Sequence, residues 1–247
     1  MTDQERYHVA RRDRDLVVLE GLHAIKHALR FGAVIDDMVT SSPHALNRLA
    51  GDLAPDLAAE FGRARDIGDA FNGLTTVPTR TPVIAIAKRP QFDVQTVFTA
   101  AGSGPIVVLD RPRHPGNIGA AIRVAAARGA AGLFTTGDSD PWHAAAVRGG
   151  AGLQFALPVG TISHLPATER QIVAVHPDGT ELDPSGYGHA PSALPGPVFL
   201  FGSERDGLSD EMLAAASRIV RIPMREGVSS LNLATAVAVI LYSWHSV

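Results

Sequence analysis

"PIVVLDRPRHPGNIGAAIRVAAARGA", residues 105–130, decides how the larger part of the chain is read. Ile106–Leu109 is a short, wholly apolar run rich in β-branched residues, the pattern of a strand buried in a parallel sheet. A Pro- and Gly-containing loop follows. The Ala-rich segment 117–130 then predicts a helix that stops at Gly129. In an open parallel sheet, the loops beyond the carboxyl ends of the strands are where ligands bind. Gly116 and Gly119 let the backbone bend and come close to something, and Asn117 suits the helix cap. Arg123 projects from the second turn of an otherwise Ala-rich helix. A capped helix with a surface arginine accounts for this loop equally well.

Working outward, the same rhythm recurs. "GLFTT" (132–136) predicts a strand and "PWHAAAVRGG" (141–150) a helix. "IVAVH" (172–176), "PVFLFG" (197–202) and "RIVRIP" (218–223) predict strands, with "SDEMLAAAS" (209–217) as a helix between the last two. An apolar helix over Leu231–Leu241 closes the chain. Strands alternating with helices indicate an α/β fold with a parallel sheet. Two further junctions then stand out. "FLFGSERDGLSDEML" carries Gly202 directly after a strand and Glu204 in the loop, with Ser209 as a helix N-cap. "RIPMREGVSSLN" leads into the last helix through Ser229, Ser230 and Asn232. Three junctions with glycine and a short polar side chain at one sheet edge are far less accidental than one. None is a GxGxxG, a phosphate-binding GxxxxGK[ST] or a GxSxG nucleophile elbow.

Toward the N-terminus, "LEGLHAIKHALRFG" (19–32) predicts an amphipathic helix capped at Gly32, and "VIDDMVT" (34–40) a strand. "ALNRLAGDLAPDLAAEFGRA" (45–64) is helical but broken at Pro55, and "PVIAIAK" (82–88) is a strand. The mixed composition of 89–104 predicts a linker, giving domains at 1–88 and 105–247. The basic residues of "RYHVARRDRD" are nearly cancelled by "DQER" and by Asp13 and Asp15, and 1–14 reads as a solvated, flexible tail. His23 and His27 share a helix face but lack a third ligand and read as surface residues. His114 shapes its loop between two prolines, or takes part in chemistry. Trp142 and Trp244 read as packing residues.

The 247 residues suffice for a large core; 45% are hydrophobic and 19% charged, so disorder is not expected. A net charge of −3 makes no global case for nucleic acid, leaving any such surface local. The absence of cysteine rules out disulfides, thiolate metal sites and a cysteine nucleophile. No targeting signal is evident and the longest apolar run is short of a membrane span, so a cytoplasmic, soluble protein without membrane or metal partners is expected.

The three junctions, in this order, resemble the motifs of the SpoU (TrmH-type) family of RNA 2′-O-ribose methyltransferases. "HPGNIGAAIRVAAARGA" looks like its first motif, "FGSERDGLS" its second and "IPMREGVSSLNLATAVAV" its third. "VLEGLHAIKHAL" and "LTTVPTRTPVIAIAKRP" are similar to the family's small L30e-like RNA substrate-binding domain. The resemblance implies a SPOUT fold with a deep trefoil knot, S-adenosyl-L-methionine as cofactor, an RNA substrate (rRNA or tRNA) and a homodimer formed through the C-terminal domain. By the same resemblance Arg123, Asn117, Glu204, Ser230 and Asn232 are the catalytic positions. Gly202, Ile222, Leu231, Val175, Phe201 and Met224 are the cofactor positions, and Arg123, Arg148 and Arg113 the RNA contacts. Two residues depart from the pattern: Ala234 stands where Ser is frequent, and Gly150 replaces the Ser of R-x-S-x-G beside a retained Arg148.

What the resemblance implies chemically is in-line attack of a ribose 2′-hydroxyl on a sulfonium methyl. Arginine is normally a donor only, so Arg123 reads first as a clamp for the target phosphate that acidifies the hydroxyl, and second as a base. A base-nitrogen methyltransferase of the same superfamily and a non-catalytic RNA-binding module are the alternatives. The last helix, apolar on all sides, is expected to pack at the subunit interface.

Overall fold

The computed structural model describes residues 1–76, 81–182 and 195–244. They fall into two units, Met1–Gln91 with Ala151–Ala156, and Phe92–Gly150 with Leu157–Val247.

The first unit comprises α1 (Asp3–Ala10), β1 (Leu16–Glu20), α2 (Leu22–Arg30), β2 (Ile35–Thr40), α3 (Pro43–Leu53), α4 (Ala58–Phe61), β3 (Arg65–Asp66) and β4 (Val83–Lys88). Its sheet has the order β1-β4-β2-β3, with β4 antiparallel to both neighbours and β3 parallel to β2. β4, apolar and buried from Val83 to Ala87, occupies an inner position of the sheet. α2 ends as its glycine predicts: Gly32 has φ +79°, and Ala33 N–H donates to the Ala28 carbonyl (2.9 Å). Pro55 does break the helical segment, between α3 and a short 3-10 turn at Pro55–Leu57.

Residues 1–14 are not the solvated tail their charges suggest. Thr2 and Glu5 form a reciprocal capping box at the start of α1. Tyr7 is buried, and its hydroxyl donates to the Ile84 carbonyl (3.3 Å). The charged side chains of α1 reach partners elsewhere in this unit: Arg65 pairs with Asp3 (2.6 Å), and Arg6 with Asp37 (3.4 Å). His27 is half-buried rather than a free surface residue, its Nδ1 lying 2.7 Å from the Ala151 carbonyl.

In the second unit are α5 (Val94–Thr99), β5 (Ile106–Leu109), α6 (Pro115–Ala127), β6 (Gly132–Thr135), α7 (Ala144–Gly150), β7 (Val159–Thr161), β8 (Ile172–Glu181), β9 (Val198–Phe201), α8 (Asp210–Ala215), β10 (Arg218–Arg221) and α9 (Leu233–Ser243). Six parallel strands lie in the order β10-β8-β9-β5-β6-β7. β5 and β9 are buried on both faces, which is why they carry no polar alternation. The short β7 carries no apolar run of its own and escapes a pattern-based reading.

The expected linker at 89–104 is instead part of this core. Asp93 caps α5, accepting from Thr96 N–H (2.9 Å), and Phe98 is buried with its ring 5.2 Å from Phe134. Arg170 ties down the loop that follows, donating to the carbonyls of Ala100 (2.8 Å), Gly104 (2.9 Å) and Gly196 (2.6 Å). At the other end of the sheet the strand order reverses. From β5 the chain moves out through β6 to β7, then crosses back to β8 and inserts β9 beside β5. The carboxyl ends of β5, β9 and β10 therefore open on one edge, where all three motif loops begin.

Candidate active site

The first loop is held by Asp110, which follows β5 and is 2% exposed. Its Oδ1 accepts from the Thr136 hydroxyl (2.6 Å) and its Oδ2 from Ser209 N–H (2.7 Å), joining the ends of β5 and β6 to the N-cap of α8. Burial opposes the charge on Asp110, but these donors and the Arg111 guanidinium outweigh it and hold the carboxyl below the usual range. A carboxylate with a depressed pKa stabilises the fold above its ordinary value of about 4, and that contribution is lost as pH falls through the folded value. Asp110→Asn should thus lower the unfolding free energy from urea titration at neutral pH by about 1–3 kcal/mol, the cost of a buried group left mispaired. It should also flatten the acid limb below about pH 4, where wild-type stability declines. A wild-type-like acid limb in the variant would contradict this.

α6 starts at Pro115, with His114 as its N-cap residue, so Asn117 lies in the first turn and is not the cap. Its side chain is free for another task. Asn117 Nδ2 donates to Glu204 Oε1 (2.7 Å), while its Oδ1 accepts from Asn232 Nδ2 (3.0 Å). Glu204 Oε2 accepts from Arg113 N–H (3.0 Å). Asn232 is the N-cap of α9, its Oδ1 accepting from Ala234 N–H (2.9 Å) and Thr235 N–H (3.4 Å). One continuous relay, Glu204–Asn117–Asn232, thus links the three loops. Desolvation raises the Glu204 pKa, but the Asn117 amide and Arg113 N–H prevail, so it is held below the ordinary value. Glu204 is an anchored carboxylate and a poor proton acceptor.

The glycines are explained by packing. An added Cβ on Gly119 would lie 2.2 Å from the Ala146 carbonyl oxygen, so this residue lets α6 and α7 touch. On Gly202 it would lie 2.2 Å from the Gly207 carbonyl carbon, because the loop folds back on itself through paired Ser203 and Gly207 backbone bonds (3.0 and 3.2 Å). Gly207 itself has φ +69°.

Beside that loop lie two adjoining cavities of about 360 and 140 Å³, together on the scale of small-molecule sites. Gly202, Phe201, Val175 and Leu231 line the larger one; Val175, Leu231, Ile222 and Met224 line the smaller. Ser230 lines both. Leu231 and Met224 remain 39% and 37% exposed, leaving apolar surface for a flat apolar group to cover. Two residues that sequence reasoning passed over also line the walls, His176 and Arg205. His176 follows a strand and Arg205 sits inside a motif loop, but neither type stands out by spacing.

Not every expected residue converges here. Arg123 is exposed on α6, lines neither cavity, and makes no hydrogen bond or ion pair among the described residues. Arg148 is exposed in the last turn of α7. The Arg113 guanidinium pairs with Asp206 (2.7 Å), so its side chain is already engaged. Trp142 and Trp244 are buried packing residues, the Trp142 indole donating to the Val159 carbonyl (2.9 Å). Among the described residues no His, Asp and Glu cluster is placed to hold a metal, and no helix is long and apolar enough to cross a membrane.

A profile of the SpoU rRNA Methylase family matches residues 104–242, more than half of the chain. The chain belongs to this family. The match spans the second unit from just before β5 to α9, so the relay and both cavities lie within the SpoU region. An uncharacterised tRNA/rRNA methyltransferase of Synechocystis is 35% identical over 144 residues, 55% of this chain and 51% of that protein. A 23S rRNA (adenosine(1067)-2′-O)-methyltransferase of Streptomyces laurentii is 32% identical over 242 residues, 92% of this chain and 84% of that one. The AdoMet-bound rRNA methyltransferase from Sinorhizobium meliloti superposes with a TM-score of 0.72 at 26% identity, covering 97% of this chain and 90% of that one. The chain spans about half the length of the first curated relatives it matches. The expectation of a SpoU-type α/β fold with a parallel sheet is met.

Proposed function

We propose that this SpoU chain transfers a methyl group from S-adenosyl-L-methionine to a ribose 2′-hydroxyl in rRNA or tRNA. The observation that carries the reading is the Glu204–Asn117–Asn232 relay, which binds the three family motifs together beside two adjoining cavities that between them are walled by all six expected cofactor residues. Relatives named as 23S rRNA 2′-O-methyltransferases support the ribose and the RNA. The residues present suit the cofactor: apolar Leu231, Met224 and Val175 would flank its adenine, and free backbone groups of the loops at Gly202 and Ile222 would meet its polar edges.

When bound, S-adenosylmethionine would supply an electrophilic sulfonium methyl to the ribose 2′-hydroxyl, with S-adenosylhomocysteine as the leaving group and the hydroxyl proton passing to water. Arg123 would hold the phosphate of the target nucleotide and acidify that hydroxyl, since a guanidinium with no other partner is a ready anion ligand and a poor base. Asn117 and Asn232 hold the loops in register, Glu204 offsets nearby positive charge, and Ser230 steadies the cavity wall. Arg113, drawn onto Asp206, and exposed Arg148 would add contacts to RNA.

The first unit would be the L30e-like RNA-binding domain, and the SpoU unit would carry the SPOUT knot and act as a cytoplasmic homodimer. On α9, Leu233, Val237, Ile240 and Leu241 are buried but Tyr242 is 56% exposed, with Arg128 4.9 Å above its ring. A second subunit covering this face would bury that apolar surface. Val239→Glu and Tyr242→Glu should give monomers by light scattering; an unchanged dimer would count against this interface.

The overall test is twofold. Calorimetry should show S-adenosylmethionine binding, and 2′-O-methyl mapping of RNA from a strain lacking the gene should show a missing ribose mark. No cofactor binding would favour a non-catalytic RNA-binding module. Binding with a missing base methyl would favour base-nitrogen chemistry.

A further inference from the structure

β8 does not run evenly along its neighbours. It pairs with β9 as far as Val175↔Phe201, and with β10 at Arg218↔Val173 and Ile219↔Ala174. The next pair with β10 is Val220↔Thr180, so the residues from Val175 to Gly179 face no counterpart on β10. The excess chain has to leave the ladder. A Cβ on Gly179 would lie 2.5 Å from the Val220 carbonyl carbon, so backbone meets backbone where the strand rejoins, and only glycine permits that closure. Bulges of this kind re-aim side chains beside sites. The bulge carries His176 and Pro177, and both line the larger and the smaller cavity.

The bulge also sets the state of the imidazole. Asp178 N–H donates to His176 Nδ1 (3.3 Å). A nitrogen that accepts a backbone N–H carries no proton of its own, so in the neutral ring the proton sits on Nε2. Nε2 stands on the far side of the ring from the occupied Nδ1, and no partner for it exists among the described residues. His176 is only partly exposed. His176 thus brings an unpartnered ring N–H to a wall that it shares with apolar Val175, Leu231 and Met224 and with the hydroxyl of Ser230. Of the charges nearby, the Asp178 carboxylate lies 3.7 Å from Nδ1 and so on the other ring nitrogen, Arg221 is paired with Glu181 (2.9 Å), and Glu204 is held by Asn117.

Resting on the methyltransferase reading, we infer that His176 is a specificity residue of this cavity, donating its Nε2–H to an acceptor atom of the bound nucleoside, a ring nitrogen of adenine or a ribose oxygen. Leu231 and Met224 give the flat base an apolar seat, which is indifferent to orientation. His176 adds the directional contact that a hydrophobic wall lacks, and a missing donor penalises ligands that would otherwise satisfy it.

The test uses the full chain and titrates S-adenosylmethionine and S-adenosylhomocysteine by calorimetry. His176→Phe keeps a ring of similar bulk without the donor and should weaken both ligands about tenfold, the loss expected for one hydrogen bond. His176→Gln places an amide N–H at similar reach and should recover affinity to within about threefold of the parent. Methyl transfer should show a raised KM for the cofactor with little change in kcat, a split that a merely structural role does not produce. If Phe binds as tightly as His, or Gln as weakly as Phe, the assignment of His176 is overturned while the methyltransferase reading stands. If the parent protein binds neither ligand, the methyltransferase reading itself fails and takes this inference with it.

Discussion

Arg123→Ala should lower methyl transfer by roughly 10²–10³-fold, the usual cost of removing one preorganised donor from a charge-developing centre, while S-adenosylmethionine affinity stays within about threefold, a shift near the calorimetric noise of a residue outside the pocket. The separation follows from where the residue sits. Arg123 is on α6, outside both cavities, exposed and unpaired among the described residues. It adds nothing to cofactor contact or to the fold, since α6 is anchored through Ile118, Ala121, Ile122 and Ala125 on its buried side. Its charge is instead available to an anionic partner such as a ribose phosphate. Arg123→Lys keeps the charge but not the bidentate fork, and should restore only part of the rate. Single-turnover transfer to RNA, with calorimetric cofactor titration alongside, reads both quantities. Near-normal transfer by the alanine variant would remove Arg123 from the mechanism.

Gly202→Ala should abolish measurable cofactor binding and lower the unfolding midpoint by about 5 °C, from an overpacking cost of about 1–3 kcal/mol. The new methyl group would meet the Gly207 carbonyl carbon at 2.2 Å and Leu208 N at 2.3 Å, and neither is the end of a flexible side chain. The loop must open, breaking the Ser203–Gly207 backbone pair and displacing Glu204 from Asn117. Because the relay continues to Asn232, the third loop loses its anchor too. Gly51→Ala is the contrast: this glycine lies inside α3 with nothing within 4 Å of the added carbon. There the same change should raise stability by about 0.5–1 kcal/mol through helix propensity and unfolded-state entropy. A Gly202 variant that binds cofactor normally would mean that the loop tolerates opening.

The polar residues of the motifs were legible as a group but not in their roles. Asn117 reads as a cap because Asn before an apolar helical run caps helices so often. Pro115 starts the helix sooner, since its fixed φ suits a first helical position. That shift of two residues turns Asn117 from a backbone ligand into the centre of a side-chain relay. The glycines read as room for a ligand, whereas Gly119 makes room for α7 and Gly202 for its own loop. The partners in both cases are distant in sequence or created by a fold-back, and no local pattern announces them. α1 was missed for a similar reason: only Tyr7 and Ala10 are buried, and the Tyr7 hydroxyl finds its partner on distant β4. Phe98 likewise assigns 94–99 to the core through contact with Phe134.

Local composition was enough for the parallel sheet, since both-face burial leaves wholly apolar strands, and for the helix ends at Gly32 and Gly129, since left-handed φ favours glycine. The order of three polar loops was enough for the family. Long-range packing alone settled the rest: the crossover that inserts β9 beside β5, the distant donors Thr136 and Ser209 that keep buried Asp110 charged against desolvation, and the bulge that sets His176 in the cavity wall. Each depends on backbone meeting backbone across many residues, and a one-dimensional pattern records the residue types but not which of them will meet.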